Sequence, residues 1–253
     1  MRARFSLLAK TPQILPINYN YYIASMIYRR IESVNPDLSF LLHKPNTIKF
    51  FTFSKLMARK RRPFGDQIRI EGRAYFDFTS PKKDIVISLV EGMLQEPNVK
   101  IANANFVLEE VRVLREKEIC RNEIFSTISP ISVTSVKIED GHRKIVDLYP
   151  NEPKFYENIR KNLIKKYRLL HGKEPDDTDL EIKVRRAKAK RIKIKDTFHR
   201  CVEMVFEASG SKELLTIGYQ AGFGERNPMG FGMVKVVNGR SRRAEREDER
   251  GIS

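Results

Sequence analysis

Hydrophobic residues in the first half of the chain follow two periods, one typical of strands and one typical of helices. From residue 18 to residue 34, apolar side chains recur every three or four positions, which predicts a helix with one buried face. Asn35-Pro36 ends this helix, and Pro36 opens a short second helix that runs to His43. Apolar runs or strict alternation predict strands in three segments: residues 3–9, 48–53 and 68–78.

The remainder of this half completes a common supersecondary pattern. Two more strands are predicted at residues 99–104 and 106–114. Pro81 opens another amphipathic helix, whose inward positions are Ile85, Val86, Leu89, Val90, Met93 and Leu94. The order β-α-β-β-α-β is that of the ferredoxin-like or RRM-like unit, in which an antiparallel four-stranded sheet carries two helices on one face.

The second half repeats this order. A helix is predicted at residues 152–170 and another at residues 211–218. Strands are predicted at residues 124–128, 131–137, 181–195, 202–208 and 232–237. The alternation in residues 181–195 slips between Val184 and Ile192, which indicates a bulge or a hairpin bend near Arg186 to Arg191. We therefore predict an α+β protein with tandem ferredoxin-like domains, residues 1–118 and 119–240, and a charged, disordered tail, residues 241–253.

A glycine-rich segment near the C-terminus contains two Gly-Phe-Gly units separated by five residues. Glycine permits positive φ and a close approach of the backbone to a bulky ligand, so the segment is a candidate cradle for RNA or for an anion. The alternative is a turn that only connects a helix to a strand. The candidate binding residues are Gly222, Gly224, Arg226, Gly230 and Gly232.

The charge of the chain favours a polyanionic partner. Its 253 residues include 48 Lys and Arg against 32 Asp and Glu, a net charge of +16, and nucleic acid is the leading candidate. One basic cluster is predicted at a hairpin tip and comprises Arg59, Lys60, Arg61 and Arg62. A second basic cluster runs along the long strand at residues 181–195 and includes Lys183, Arg185, Lys193 and Lys195. The alternative to RNA binding here is an edge strand whose lysines only face solvent and prevent aggregation.

Cysteine and histidine usage argues against a metal centre or a disulfide framework. Cys120 and Cys201 have no partner at ligand spacing, and the four histidines are scattered. We expect no cofactor and no metal. The apolar run at residues 5–9 is too short for a signal peptide or a membrane span, so we expect a cytoplasmic protein.

The doubled Gly-Phe-Gly segment, Ser129-Pro130-Ile131 and the duplicated ferredoxin-like order together resemble the CRISPR-associated repeat-cleaving endoribonucleases, the Cas6 family of the RAMP superfamily. The likeness covers about residues 1–237. It is most similar to the archaeal type, with a helix that carries Tyr28 and a downstream Leu-His, here His43, followed six residues later by Lys49.

The resemblance implies that the chain binds CRISPR repeat RNA and cleaves the precursor transcript without a metal, as part of antiviral defence. The 2′-hydroxyl would attack the adjacent phosphate and give 2′,3′-cyclic phosphate and 5′-hydroxyl ends. His43 would transfer a proton, Tyr28 would transfer the other or position the nucleophile, and Lys49 would stabilise charge on the phosphate. Which of Tyr28 and His43 is acid and which is base stays open. The crRNA product would pass to a CRISPR effector complex, and the protein would be a monomer or homodimer.

Two other functions compete with this one. The first is a protein of the same fold that binds the repeat RNA without cutting it. The second is a nucleotide-dependent enzyme that uses the glycine-rich segment for a mononucleotide phosphate. That segment lacks the Gly-Lys-Ser/Thr ending of a P-loop and precedes a strand rather than a helix, which disfavours the second alternative.

Overall fold

The computed structural model describes residues 1–139 and 141–237, so the predicted tail at residues 241–253 lies outside the described residues. The first half of the chain forms nine elements: β1 (Arg2–Pro16), α1 (Asn20–Val34), α2 (Pro36–His43), β2 (Thr52–Phe53), β3 (Met57–Phe64), β4 (Gln67–Thr79), α3 (Lys83–Gln95), β5 (Asn98–Ile101) and β6 (Ala104–Leu114).

These strands form one antiparallel sheet in the order β2-β4-β1-β6-β5, and β3 also pairs with β4. β1 lies in the middle, paired with β4 on one side and β6 on the other, and its inward residues Ala3, Phe5 and Leu7 are fully buried. Strand β4 buries the alternating positions predicted from the sequence, with Phe5 and Phe76 stacked at 5.1 Å between ring centroids. Helices α1 and α3 pack against each other and contribute to the same core.

The second half repeats the arrangement with β7 (Asn122–Thr127), β8 (Thr134–Glu139), β9 (His142–Asp147), α4 (Pro153–His171), β10 (Leu180–Ile194), β11 (Thr197–Gly210), α5 (Lys212–Ala221), a 3₁₀ turn at Asn227–Met229 and β12 (Val234–Val236). The sheet order is β10-β11-β7-β12, all antiparallel. Both sheets have the strand order of a ferredoxin-like unit, so the predicted fold class is confirmed. The domain boundary at residue 118 remains a proposal.

Several details differ from the sequence predictions. Only Thr52–Phe53 of the segment 48–53 is a strand, because Phe50 adopts φ 56° and breaks the extended backbone. Leu94 is 60% exposed at the end of α3 rather than inward. The basic residues 59–62 lie within β3, and the hairpin turn falls after them at Gly65.

The second half contains two further differences. Residues 131–137 do not form one strand of the sheet: Ile131 makes an isolated bridge to Val202 of β11, whereas β8 begins at Thr134 and pairs only with β9, a strand that the sequence analysis missed. The long basic segment is one strand, β10, and the hairpin alternative is wrong. Its register shifts between Val184 and Arg186, which confirms a bulge at the start of the predicted stretch.

The two units are joined through the glycine-rich segment. Arg2 of β1 is buried and donates hydrogen bonds to the carbonyls of Tyr219 at 3.1 Å and Val234 at 3.0 Å. The Thr52 hydroxyl donates to the Phe231 carbonyl at 2.8 Å, and the Asn20 amide donates to the Met229 carbonyl at 2.9 Å. These contacts hold the glycine-rich segment against the first unit.

Candidate active site and RNA-binding surface

Tyr28 and His43 are in contact at the corner where α1 meets α2. The Asn35 side chain caps α2 by accepting a hydrogen bond from the Leu38 amide at 3.0 Å. Helix α2 therefore packs on α1, and its last residue, His43, brings its ring centroid to 4.7 Å from that of Tyr28. Phe51 also touches the Tyr28 ring, with centroids 5.7 Å apart.

The hydrogen bond of the His43 ring fixes the tautomer of its neutral form. Nδ1 lies 2.8 Å from the carbonyl oxygen of Ser39, and a carbonyl can only accept, so Nδ1 carries the hydrogen. Nε2 is then the nitrogen with a free lone pair. Because the His43 side chain is exposed, this nitrogen is available to take a proton from a ligand hydroxyl.

Tyr28, unlike His43, is suited to donate a proton or a hydrogen bond rather than to accept a proton. The side chain is half-buried, and burial raises the pKa of its hydroxyl to about 12. The hydroxyl therefore keeps its proton at neutral pH and can donate a hydrogen bond, whereas it is poorly suited to act as a base.

Lys49 lies on the loop that follows α2. Its ammonium donates hydrogen bonds to the carbonyl of Lys44 and to the Thr47 hydroxyl, the latter at 2.6 Å. Asn46 and Phe50, both with positive φ, shape this loop so that it folds back on itself. Partial burial lowers the pKa of Lys49.

A cavity of about 550 Å³ lies between the two units and reaches from Tyr28 and Lys49 to the glycine-rich segment; His43 is not part of its lining and adjoins it through Tyr28. The first unit contributes Tyr28 and Lys49 to its walls. The second unit contributes Lys195 and Arg226, two of the predicted RNA-binding residues. His199, which the sequence analysis passed over, also lines it, and burial followed by the charge of Arg226 lowers the pKa of His199.

Lys166 on α4 is a cavity residue that the sequence analysis missed. Its side chain is 1% exposed, and its ammonium donates to the carbonyls of Gly222 at 2.6 Å and Gly224 at 2.8 Å. Burial lowers the pKa of Lys166 to about 7. A lysine within the apolar stripe of α4, between Leu163 and Tyr167, was the available signal.

The four glycines of the Gly-Phe-Gly units are buried and have positive φ. A Cβ at Gly224 would lie 2.5 Å from the Ser132 carbonyl oxygen, and one at Gly232 would lie 2.0 Å from the Phe223 carbonyl oxygen. The same holds for Gly222 and Gly230, whose Cβ atoms would each meet a neighbouring side chain at 2.5 Å. Close packing within the protein thus accounts for these glycines, and their contact with RNA stays a prediction.

The two predicted basic clusters differ in whether their cations are paired with carboxylates. Arg59, Lys60, Arg61 and Arg62 are all exposed along β3. In β10, Lys183 pairs with Glu181 at 3.2 Å and Arg185 donates to Glu207 at 2.5 Å.

The other end of the β10–β11 hairpin approaches the cavity. The Lys195 ammonium lies 5.2 Å from the centroid of the Tyr21 ring on α1, and the Lys193 amide donates to Asn18 at 2.9 Å. Of the four predicted cations of this segment, Lys193 near the end of β10 and Lys195 in the turn after it therefore lie beside the first unit.

Within residues 1–139 and 141–237, no group of three or more His, Cys, Asp or Glu side chains is placed to hold a metal ion. Over the same residues, no helix is both long enough and apolar enough to cross a membrane.

Comparisons with known proteins agree on one family. Residues 14–112 match the family model described as CRISPR-associated protein Cas6, N-terminal, and residues 114–236 match the one described as CRISPR associated protein Cas6, C-terminal. A "CRISPR-associated endoribonuclease Cas6 1" from Methanocaldococcus jannaschii is 39% identical over 96% of this chain and 95% of that protein.

Two further matches extend over nearly the whole chain. A "CRISPR-associated endoribonuclease-like protein Cas6nc" from Pyrococcus horikoshii is 35% identical over 94% of this chain and 100% of that protein. A solved structure described as "An RAMP protein binding different RNA substrates" is 35% identical, superposes with a TM-score of 0.86, and covers 94% of this chain and 100% of its own.

Proposed function

Because the chain belongs to the Cas6 family of CRISPR-associated proteins, we propose that it is an endoribonuclease that binds CRISPR repeat RNA and cuts the precursor transcript into crRNA. The observation that carries this proposal is the contact of Tyr28 with His43 beside a cavity that Tyr28 and Lys49 both line. Tyr28 of α1 and Lys49 of the following loop line one inter-unit cleft, and His43 at the end of α2 is in contact with Tyr28.

The proposed reaction is attack of a ribose 2′-hydroxyl on the adjacent phosphate, which leaves a 2′,3′-cyclic phosphate and a 5′-hydroxyl. His43 accepts the proton of the 2′-hydroxyl at Nε2, since Nδ1 is occupied by the Ser39 carbonyl. Tyr28 holds its proton at neutral pH, donates a hydrogen bond to the leaving 5′-oxygen and transfers this proton as the P–O5′ bond breaks, which gives the 5′-hydroxyl; the protonated His43 then returns a proton to the Tyr28 oxygen, directly or through water.

Lys49 acts on the phosphate charge. Its ammonium is held by the Lys44 carbonyl and Thr47, which orients it toward the cavity before RNA arrives. A fixed cation at a partly desolvated site stabilises the extra negative charge that develops on the phosphorane. These three roles require no metal ion.

RNA binding in this proposal is divided between two kinds of surface. Exposed Arg59, Lys60, Arg61 and Arg62 attract the phosphate backbone and release counterions. Lys195 brings charge to the cleft itself, and the Lys193 ammonium lies nearby over the Phe198 ring, at 5.6 Å from its centroid. Lys183 and Arg185 contribute less because each is paired with a glutamate.

A protein of the same fold that only holds the repeat RNA is the second candidate. The observation that favours it is the 35% identity to a relative whose name describes an endoribonuclease-like protein. The contact of His43 with Tyr28, which lines the cleft together with Lys49, favours cleavage.

End-group analysis of the reaction products tests the proposal. The full chain is incubated with 5′-labelled CRISPR repeat RNA of the source genome, and the fragments are treated with phosphatase and kinase to identify their ends. We expect one cut, a cyclic phosphate on the upstream fragment and a 5′-hydroxyl on the downstream one. Tight binding with no cut would establish the second candidate, and 3′-hydroxyl ends would exclude the proposed chemistry.

A further inference from the structure

Lys166 is a buried lysine in the apolar stripe of α4. The residue is 1% exposed, and within the described part of the chain it makes no ion pair. Its neighbours on the buried face of the helix, Leu163 and Tyr167, pack into the core of the second unit. Removing an ammonium from water without a carboxylate partner destabilises a fold, so a lysine at this apolar position calls for a physical reason.

The hydrogen-bond acceptors of Lys166 supply this reason. Its ammonium donates to the carbonyls of Gly222 at 2.6 Å and Gly224 at 2.8 Å, one on each side of Phe223. Both glycines are buried, and among the described residues no other donor reaches either oxygen. An apolar side chain at position 166 would leave two buried carbonyls unpaired, which is costly.

The contact with these two carbonyls requires hydrogen atoms rather than charge. Burial lowers the pKa of Lys166 to about 7, against the opposing effect of the negative charge of Glu225. A large share of Lys166 is therefore a neutral amine at neutral pH. A neutral amine still carries two N–H groups, one for each carbonyl. An uncharged side chain with two N–H groups and sufficient reach should therefore replace it.

The backbone that Lys166 holds leads directly into one wall of the inter-unit cavity, formed by residues 225–229. Other contacts also hold this wall. The Glu225 amide donates to the Ser132 carbonyl at 2.8 Å, and the Asn227 side-chain amide bridges the two Gly-Phe-Gly units through their phenylalanine carbonyls. Loss of the Lys166 contacts is therefore expected to shift the start of the wall rather than to unfold it.

We propose that Lys166 is a positioning residue for RNA cleavage, which holds the first Gly-Phe-Gly unit so that residues 225–229 face the RNA opposite Tyr28 and Lys49. It acts through the backbone of the glycine-rich segment and not on the reacting atoms. In-line attack on a phosphate requires close alignment, so a small shift of one wall of the cleft is enough to slow the reaction. The inference rests on the proposed function, because it takes cleavage in this cleft as given, and it adds a second-unit residue that aligns the RNA.

Single-turnover cleavage by Lys166→Met and Lys166→Gln tests the proposal. Methionine removes both donors, whereas glutamine has the same length as methionine and offers two N–H groups without a charge. With the full chain in excess over labelled repeat RNA, the rate at saturation and the half-saturating protein concentration are measured separately.

Lys166→Met should lower the rate at saturation by about 10- to 100-fold, because a displacement of about 1 Å at a reacting centre costs on the order of 100-fold. The half-saturating concentration should change by less than about threefold, because the exposed cations at residues 59–62 still bind the RNA backbone. Lys166→Gln should recover most of the rate at saturation.

Leu163→Ala is the matched control for lost stability. Leu163 precedes Lys166 by about one turn of the same helix, is fully buried and is not among the residues that line the cavity. Leu163→Ala and Lys166→Met should both lower the Tm, the first by creating a core cavity and the second by leaving two carbonyls unpaired. Well below the Tm of either variant, Leu163→Ala should cut at the wild-type rate at saturation.

Hydrogen exchange provides a readout that does not depend on cleavage. The Phe223 amide donates to the Gly232 carbonyl at 2.9 Å, and the Glu225 amide donates to Ser132. Exchange at these two amides should be faster in Lys166→Met than in Leu163→Ala when each is measured equally far below its own Tm. Lys166→Gln should exchange at close to the wild-type rate.

A Lys166→Met variant that cuts at the wild-type rate at saturation would overturn the proposal, as would an equal loss of rate in Leu163→Ala. Slow cutting by Lys166→Gln together with restored protection would assign the effect to the charge of Lys166 and would also overturn it. If the wild type cut no RNA, the proposed function would fail, and the exchange comparison would still test whether Lys166 holds the segment: equal exchange in Lys166→Met and Leu163→Ala would refute that hold.

Discussion

Gly232→Ala is expected to unfold the glycine-rich segment rather than to impair an RNA contact. The added Cβ would lie 2.0 Å from the Phe223 carbonyl oxygen, which is backbone and cannot rotate away. Gly232 also has φ 77°, a conformation that costs an L-residue about 1–2 kcal/mol. Relief of the clash would break two backbone hydrogen bonds, Phe223 N–H to the Gly232 carbonyl at 2.9 Å and Gly232 N–H to the Pro130 carbonyl at 2.8 Å.

With about 1 kcal/mol for each lost hydrogen bond, the total is about 3–4 kcal/mol. A chain of this length loses about 2–4 °C in Tm per kcal/mol, so the expected decrease is about 6–16 °C. Gly172→Ala is the matched control, because Gly172 has φ 70° and nothing within 4 Å of its added Cβ. It should lose only the conformational part, about 2–8 °C.

Differential scanning fluorimetry measures both variants, and RNA affinity is measured on the folded fraction of each. Equal Tm values for Gly232→Ala and Gly172→Ala would refute the packing argument. A Gly232→Ala variant that unfolds like wild type yet no longer binds RNA would instead show that the backbone of this segment is itself an RNA cradle.

Three further predictions concern the site. His43→Ala should slow cleavage by about 10²- to 10⁴-fold with unchanged RNA affinity, whereas His142→Ala, an exposed histidine of β9, should have no effect; equal single-turnover rates would refute the assignment. Tyr28→Phe should cleave RNA more slowly than wild type, by a factor that stays constant from pH 7 to pH 10, since the raised pKa of about 12 keeps the Tyr28 hydroxyl protonated throughout. If the ratio of the wild-type rate to the variant rate fell to one in this range, the hydroxyl would ionise at a lower pH than expected. Replacing Lys193 and Lys195 together by alanine should reduce the slope of log K for RNA binding against log salt concentration by about 0.7 for each lost phosphate contact. Replacing Lys183 and Arg185 together should reduce the slope less, because glutamates already neutralise these two charges. Equal slopes for the two double variants would contradict this.

The fold could be predicted where local rules and packing agree. Pro36 both ends α1 and opens α2, and the structure places the helix boundary at this residue. The alternating apolar positions of β4 are all buried. Such elements depend on periodicity and on proline, which are local properties of the sequence.

Prediction was wrong where tertiary contacts override local preference. Phe50 has a strong strand propensity, but it adopts positive φ and packs into the core of the second unit, which shortens the predicted strand to Thr52–Phe53. Strand β9 was missed, although its partner β8 overlaps the predicted strand at residues 131–137; the hairpin buries little apolar surface, because Val136, Ile138 and Ile145 are all more than half exposed.

Only the residues that the first unit contributes to the candidate site could be predicted from the sequence. Tyr28, His43 and Lys49 are close in sequence and carried a family likeness, and the structure brings Tyr28 against His43. Asn162, Lys166 and His199 come from the other unit, more than 100 residues away, and no linear pattern places them at the same cavity.

Cleavage of two matched RNAs in chelator tests the central claim most directly. The unmodified repeat RNA and the same RNA with a single 2′-deoxyribose at the scissile nucleotide are each incubated with the full chain in excess EDTA. We expect the unmodified RNA to be cut and the deoxy RNA to be bound with similar affinity and left whole, because only the former carries the attacking hydroxyl. Cleavage of both RNAs, or cleavage that appears only when a divalent metal is added, would contradict the account.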